Sequence, residues 1–197
     1  MLKKIIGSAI LLLLIGIVIF NVMEENSNNA NDSNLYDVTG DPNTSGVTIF
    51  SEGETGISKG EVAPEIALET LAGEQFRLSD LQGKKVILNF WYTWCPPCKE
   101  EMPEMQKFYD EHKDEVEIVA VNLTNMEKKQ QDIHDFVDEY GYDFIIPLDP
   151  NAVISDEYKV VAAPTTYFIG TDGVVGQERK LGPMTYEFME EMVDGLN

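Results

Sequence analysis

Residues 86–101 read VILNFWYTWCPPCKEE, and this stretch decides the fold. Its first seven residues, 86–92, are apolar or aromatic except for Asn89, which is typical of a buried central strand. The strand breaks into a Cys-x-x-Cys turn and then into a charged pattern of helical spacing. Both cysteines of the chain, Cys95 and Cys98, therefore lie in the first turn of a helix, where backbone N–H groups and the helix dipole favour a thiolate. The pattern predicts a site for sulfur chemistry.

Strand and helix patterns alternate along the rest of the domain. Turn composition at 70–74 and 171–173 predicts two hairpins, Thr185 is a predicted helix cap, and Pro103 is expected to kink the first helix. The predicted fold class is α/β, with a central mixed β-sheet flanked by helices. The predicted strands are 66–69, 75–78, 86–92, 116–123, 144–148, 165–169 and 174–180, and the predicted helices are 95–113, 127–140, 152–158 and 185–193, the second with an apolar stripe of Ile133, Phe136, Val137 and Tyr140.

The start of the chain carries an apolar run from residue 5 to residue 23 whose only polar side chains are Ser8 and Asn21. At ~1.5 Å per residue such a helix is roughly 28 Å long, close to the hydrocarbon thickness of a bilayer. A cleaved signal peptide is the competing interpretation, but no small-x-small site follows Phe20. We predict a transmembrane signal anchor over residues 1–23. Because Lys3 and Lys4 precede the apolar run, the chain is predicted to be a single-pass protein of the cell membrane with its domain on the extracytoplasmic side.

Residues 24–60 are rich in Asn, Ser, Asp and Gly, and they predict a flexible acidic linker with a possible strand at 46–50. The folded domain is predicted to span 61–197. The formal net charge of −21 argues against binding to nucleic acid, because phosphate contacts need Lys and Arg. We expect a monomer.

In a Cys-x-x-Cys pair at a helix start, the first thiol is exposed and the second is turned inward. Cys95 is therefore the predicted nucleophile, and Cys98 the residue that resolves the mixed disulfide. A purely structural disulfide is one alternative, although a bridge over so small a loop constrains the unfolded chain little. Zinc is another, but it needs four ligands, and His112 and His134, the only histidines, do not have finger spacing.

Two prolines, Pro96 and Pro97, stand between the cysteines. Proline suits the first turn of a helix, but each one removes an N–H group that could face the Cys95 sulfur. The Cys98 N–H is then the main local donor. We hypothesise that the Cys95 thiolate is poorly stabilised, which favours the disulfide and makes the protein a better reductant.

The central strand, the TWCPPC motif at 93–98, the helix after it and the run AAPTTYFI at 162–169 together resemble the thioredoxin superfamily. Within that superfamily, the pattern NFWxTWCxxCKxExP at 89–103 is similar to the ResA and TlpA branch of membrane-tethered extracytoplasmic thiol-disulfide oxidoreductases. The resemblance covers about residues 61–197 and implies a thioredoxin-like fold with an N-terminal β-hairpin and a central strand–helix insertion.

The resemblance also implies partners. These are a disulfide-containing protein outside the membrane, such as apocytochrome c during cytochrome c maturation, and a CcdA-like membrane thiol donor that recharges the pair. It implies no cofactor beyond the redox-active disulfide itself. Two alternatives are a thiol peroxidase, which has a different local context around its cysteine, and a Cu(I) chaperone with Met102 or Met105 as a soft ligand.

By the same resemblance, Pro164 is the cis-proline that packs beside the disulfide and leaves the Ala163 backbone free to pair with an extended substrate. An ordinary edge-strand proline is the competing interpretation. Trp94, which adjoins Cys95, completes the predicted substrate-binding set together with Pro96 and Pro97.

Asn89 matches the position of the buried Asp that relays protons in thioredoxin, and an amide cannot take that proton. Glu101 aligns with an active-site Glu of the ResA type, and its spacing places it on the same side of the helix as Cys98. As a carboxylate it would raise the pKa of the thiols and could accept or return a proton. The alternative is a solvated Glu beside Glu100 and Glu104.

Overall fold

The computed structural model describes residues 54–197. The predicted anchor over 1–23, the linker up to residue 53 and the possible strand at 46–50 lie outside the described residues. Within residues 54–197, no helix has both the length and the apolar character needed to cross a membrane. The elements in chain order are β1 (Ala67–Glu69), β2 (Gln75–Arg77), β3 (Lys85–Trp91), α1 (Pro96–His112), β4 (Val116–Asn122), α2 (Gln130–Tyr140), α3 (Val153–Glu157), β5 (Thr165–Ile169), β6 (Lys180–Leu181) and α4 (Tyr186–Asp194).

The main sheet has four strands in the order β4-β3-β5-β6. β3 is parallel to β4, with Leu88 opposite Val119, and antiparallel to β5, with Leu88 opposite Tyr167. β1 and β2 form a separate antiparallel hairpin. The predicted mixed sheet and the N-terminal hairpin are therefore confirmed.

Alternation along β3 divides the core into two layers, because successive side chains of a strand point to opposite faces. Ile87 and Trp91 pack in the layer that includes Met102 and Phe108 of α1. The even-numbered residues of β3, including Leu88, pack in the other layer. Asn89 has the parity of Ile87 and Trp91, so its amide points toward the α1 side of the sheet.

Two predicted strands are wrong in extent. Residues 144–148 form isolated bridges and no continuous ladder: parallel ones of Ile145 to Val119 and of Leu148 to Asn122, and an antiparallel one of Pro147 to Thr70. Pro147 lies between these bridges and has no N–H to continue a ladder. The predicted strand at 174–180 is reduced to Lys180, in β6, and single bridges of Val174 to Val62 and of Val175 to Ile169. The ladder with β5 is interrupted because three steps along β5, from Ile169 to Thr166, lie opposite five steps from Val175 to Lys180, which leaves two extra residues between the bridges.

The helix predicted over 127–140 begins three residues later, after a 3-10 turn at Thr124–Met126. It ends, as predicted, at Gly141, which adopts the left-handed conformation with φ 71°. Ile133 is buried, but Tyr140 is 53% exposed, so the predicted apolar stripe does not reach the last residue. Helix α1 runs without interruption through Pro103.

Residues 54–60, predicted as the end of the linker, are hydrogen-bonded to the domain. The Val62 N–H donates to the Glu54 carbonyl at 3.0 Å, and the Gly60 N–H donates to the Val175 carbonyl at 2.8 Å. These contacts bring the start of the described chain to the edge of the main sheet.

Candidate active site

The Cys95–Cys98 pair forms a disulfide at the start of α1. Cys95 is the N-cap residue in an extended conformation, and Pro96 and Pro97 fill the first two helical positions. The Cys98 N–H donates to the Cys95 sulfur at 3.2 Å. This is the contact predicted from the two prolines, and it leaves Cys95 in the capping position that usually belongs to an oxygen-bearing side chain.

Both cysteines are buried in this disulfide-bonded state. Cys95 is 1% exposed and Cys98 is 0% exposed, so the prediction that the first cysteine is exposed is wrong here. The disulfide turns the Cys95 sulfur back toward the helix, and the Ala163 carbonyl oxygen lies 3.6 Å from it. The assignment of Cys95 as the nucleophile and Cys98 as the resolving residue stays a prediction.

The Ala163–Pro164 peptide bond is cis, as the resemblance implied. Pro164 is buried immediately before β5, an internal strand of the main sheet, so the edge-strand interpretation is wrong. The carbonyl of Ala163 faces the Cys95 sulfur. Within residues 54–197, the Ala163 N–H has no backbone acceptor. The predicted pairing of this backbone with a substrate stays a prediction, and the structure leaves a donor available for it.

Glu101 is 0% exposed, so the interpretation of it as a solvated Glu is wrong. The Asn89 side-chain amide donates to Glu101 Oε1 at 2.8 Å, and the Met184 backbone N–H donates to Oε2 at 3.2 Å. Asn89 Nδ2 also lies 3.0 Å from the Thr166 hydroxyl oxygen. Hydrogen bonds from β3 and from the loop before α4 thus reach the Glu101 carboxyl directly, and Thr166 of β5 is linked to it through Asn89.

Burial raises the pKa of Glu101 to about 8. The hydrogen bonds from Asn89 and Met184 and the charge of Lys180 lower it, but they do not offset the loss of hydration. Glu101 therefore carries a proton at neutral pH. This corrects one expectation, because a neutral acid does not raise the pKa of the thiols by repulsion; it is instead a buried proton donor that can become an acceptor.

Thr166 and Met184 were missed by the sequence analysis. Thr166 had a usable signal, since antiparallel pairing of the two predicted strands brings it opposite Asn89. Met184 had none, because it contributes a backbone N–H from a loop. The side chain of Asn89 is 0% exposed, and its oxygen has no hydrogen-bond partner among the described residues.

Trp94 lies beside the disulfide and is 44% exposed. Its indole N–H donates to the Met126 carbonyl at 3.0 Å. Met126 and Val161 are also exposed, and both line a groove that includes Ala163. The groove also has polar residues, Asn125, Ser155 and Asp156, and it adjoins the redox pair through Ala163. In residues 54–197, no group of three or more His, Cys, Asp and Glu side chains is arranged to hold a metal ion.

A Cys-x-x-Cys disulfide at a helix start, the carbonyl of the residue before a cis-proline against its first sulfur and a buried acid one helical turn away define a thioredoxin-like thiol-disulfide oxidoreductase. The sequence matches the AhpC/TSA family over residues 59–178, and the chain belongs to that family.

Named relatives agree with this class. The chain is 43% identical over 145 residues to the thioredoxin-like protein YneN of Bacillus subtilis, covering 74% of this chain and 84% of the relative. It is 38% identical over 199 residues to the thiol-disulfide oxidoreductase ResA of Oceanobacillus iheyensis, covering 98% of this chain and 89% of the relative. The crystal structure of StoA from Bacillus subtilis is similar with a TM-score of 0.59 and 38% identity, over 66% of this chain and 96% of StoA.

Proposed function

We propose that this thiol-disulfide oxidoreductase works as a reductant of disulfide bonds in proteins outside the cytoplasmic membrane. The observation that carries the direction of the reaction is the surroundings of the Cys95 sulfur. One backbone N–H, that of Cys98, donates to it, while Pro96 and Pro97 have none to offer.

The Ala163 carbonyl adds to this effect. A carbonyl oxygen 3.6 Å from the sulfur can accept a hydrogen bond from a thiol but repels a thiolate. A dithiol whose thiolate is poorly stabilised gives up its electrons more readily, so the surroundings of Cys95 favour the reducing direction.

The proposed substrate is an extended, apolar segment of polypeptide that carries a disulfide. Trp94, Met126 and Val161 offer exposed apolar contacts beside the redox pair. The Ala163 N–H, which has no backbone acceptor in the described part of the chain, offers a backbone hydrogen bond. The formal charge of −21 favours a basic partner. Apocytochrome c, whose haem-attachment cysteines must be reduced, is the proposed physiological substrate.

The proposed location is the outer face of the cell membrane, with residues 1–23 as a single-pass anchor. This rests on the apolar run of the sequence and on the two lysines that precede it. A CcdA-like membrane thiol donor would then return electrons to the Cys95–Cys98 pair after each turnover.

A second substrate class has one observation in its favour. The chain is 39% identical over 128 residues to the sporulation thiol-disulfide oxidoreductase A of Bacillus subtilis. A disulfide-bonded envelope protein of a sporulating cell is therefore the alternative substrate.

The reduction potential of the full-length protein, equilibrated in glutathione or dithiothreitol buffers, tests the direction. A potential below about −200 mV supports a reductant, and one near about −120 mV would make the protein an oxidant and overturn the proposal. Stopped-flow mixing of the reduced protein with oxidised apocytochrome c then tests the substrate. A rate no faster than that of an unrelated disulfide protein of equal charge would remove apocytochrome c from the proposal.

A further inference from the structure

Glu127, in the loop after β4, uses both of its carboxylate oxygens to hold the strand end that leads to the cysteines. Oε1 accepts from the Thr93 N–H at 2.7 Å and from the Asn122 side-chain amide at 2.9 Å. Oε2 accepts from the Thr93 hydroxyl at 2.6 Å. Thr93 is 8% exposed and Asn122 is 0% exposed, so these bonds are largely sheltered from water. Hydrogen bonds to a carboxylate are among the stronger ones in proteins.

Thr93 belongs to the redox loop, which we define as residues 92–95, and Glu127 to the bracing segment, residues 122–127. A further bond joins the two: the Trp94 indole N–H donates to the Met126 carbonyl at 3.0 Å. The Leu123 N–H donates to the carbonyl of Trp91, immediately before the redox loop, at 2.8 Å. Among these contacts, those of Glu127 are the ones in which the acceptor is a carboxylate.

The two cysteines are held differently. Cys98 lies within α1 and is fixed by the helix, whereas Cys95 caps the helix at the end of the redox loop. Once the disulfide is reduced, the noncovalent contacts of that loop help keep the Cys95 sulfur close to Cys98. Closure of the disulfide depends on the effective concentration of one thiol at the other, which rises as their relative motion is restricted.

We propose that Glu127 is a positioning residue, which holds Thr93 so that the reduced Cys95 stays beside Cys98 and the disulfide closes readily. The inference deepens the proposed function, on which it rests, because ready closure is what makes the dithiol an effective reductant. Glu127 takes no part in the exchange of sulfur partners. Its effect passes through Thr93.

The equilibrium constant between the full-length protein and glutathione measures this effective concentration directly. Glu127→Ala, which removes the acceptors, is expected to lower the constant for disulfide formation by about 3- to 10-fold. Glu127→Gln is expected to restore it to within about 2-fold of wild type, because the amide oxygen can still accept from Thr93 and Asn122, and the amide nitrogen can donate to the Thr93 hydroxyl. Thr93→Val removes the hydroxyl bond alone and is expected to give a smaller decrease.

Thr124→Val is the matched control. The Thr124 hydroxyl donates to the main-chain and side-chain oxygens of Asn122, both at 3.1 Å, and in residues 54–197 these hydrogen bonds stay within the bracing segment. The equilibrium constant of the Thr124→Val protein with glutathione is expected to equal that of wild type. A decrease as large as that of Glu127→Ala would show that general loosening of the segment, and not the bonds to Thr93, sets the constant, and would overturn the proposal.

Two other results would overturn it. One is a folded Glu127→Ala protein with the wild-type constant. The other is a constant in Glu127→Gln that decreases as much as in Glu127→Ala, since loss of the charge, and not of the hydrogen bonds, would then explain the decrease. If Glu127→Ala does not fold, an unchanged constant in Thr93→Val overturns the proposal instead. Failure of the wild-type pair to exchange with glutathione at all would refute the proposed function, which separates that failure from failure of this inference.

Discussion

The side-chain amide of Asn89 donates a hydrogen bond of 2.8 Å to the buried carboxyl of Glu101, one helical turn after Cys98. Strand β3 and helix α1 are thus joined by a contact between an amide that cannot exchange a proton and an acid that can. The acid is neutral at pH 7 because burial raises its pKa to about 8. Glu101 is therefore the residue of this pair that can exchange a proton, and the hydrogen bond from Asn89 lowers its pKa.

The stability of the oxidised protein should depend on pH through Glu101. Its pKa is raised from 4.5 to about 8 on folding, so the folded state binds more protons than the unfolded state between these values. Stability from this group is complete below about pH 4.5 and is lost as the pH rises toward 8, at up to about 1.4 kcal/mol per pH unit. Urea unfolding of wild type and Glu101→Gln across this range measures it, and the variant should lose this component of the slope. Glu100→Gln, on the exposed face of the same helix, is the control; equal slopes in all three proteins would contradict the assignment.

Asn89→Asp should destabilise the protein more at neutral pH than at pH 5. The change places a second acid against Glu101, and two carboxyl groups at this distance cannot both ionise without strong repulsion. At pH 5 both groups can be neutral, so the cost there should be small; at pH 8 it should reach about 1–3 kcal/mol or more. Unfolding free energies at the two pH values check the difference. A cost that does not change with pH would mean that the lost amide, and not the added acid, is responsible.

Pro97→Ala should make the protein less reducing. An N-cap acceptor receives hydrogen bonds from the second and third helical N–H groups, and Pro97 removes the second of these. Restoring it would give the Cys95 thiolate another donor and shift the equilibrium with glutathione toward the dithiol by about 3- to 10-fold. Pro96→Ala, one position earlier, restores an N–H outside this pair and should shift the equilibrium less. An unchanged or more negative potential in Pro97→Ala would contradict the explanation given for the two prolines.

Cys98→Ser should accumulate mixed disulfides through Cys95, because the residue predicted to resolve them is gone. Cys95→Ser should accumulate few, since Cys98 is held within α1, whereas Cys95 caps the helix at the end of a loop. Non-reducing electrophoresis after incubation with oxidised apocytochrome c, followed by mass spectrometry of the shifted band, identifies the bonded cysteines. The reverse pattern would exchange the roles assigned to the two residues.

Much of the fold followed from local patterns. The continuous apolar run of β3 and the capping signals at Thr185 and Gly141 each depend on a few neighbouring residues, and the structure confirms them. The two strand predictions that failed both depend on a partner strand. Residues 144–148 have the composition of a strand, but Pro147 interrupts their pairing with β4, and the pairing of 175–180 with β5 shifts by two residues between its two ends.

The sequence by itself determined the chemistry: two cysteines at a helix start, two prolines that remove donors between them, and a glutamate one turn further along the same helix. These features are set by spacing within one segment. The tertiary structure alone decided the state of that glutamate and the support of the redox loop, because both depend on groups far away in the chain. Burial beneath Asn89 and the Met184 backbone turns Glu101 from a solvated carboxylate into a neutral acid, and Glu127 reaches Thr93 only because β3 and β4 end side by side.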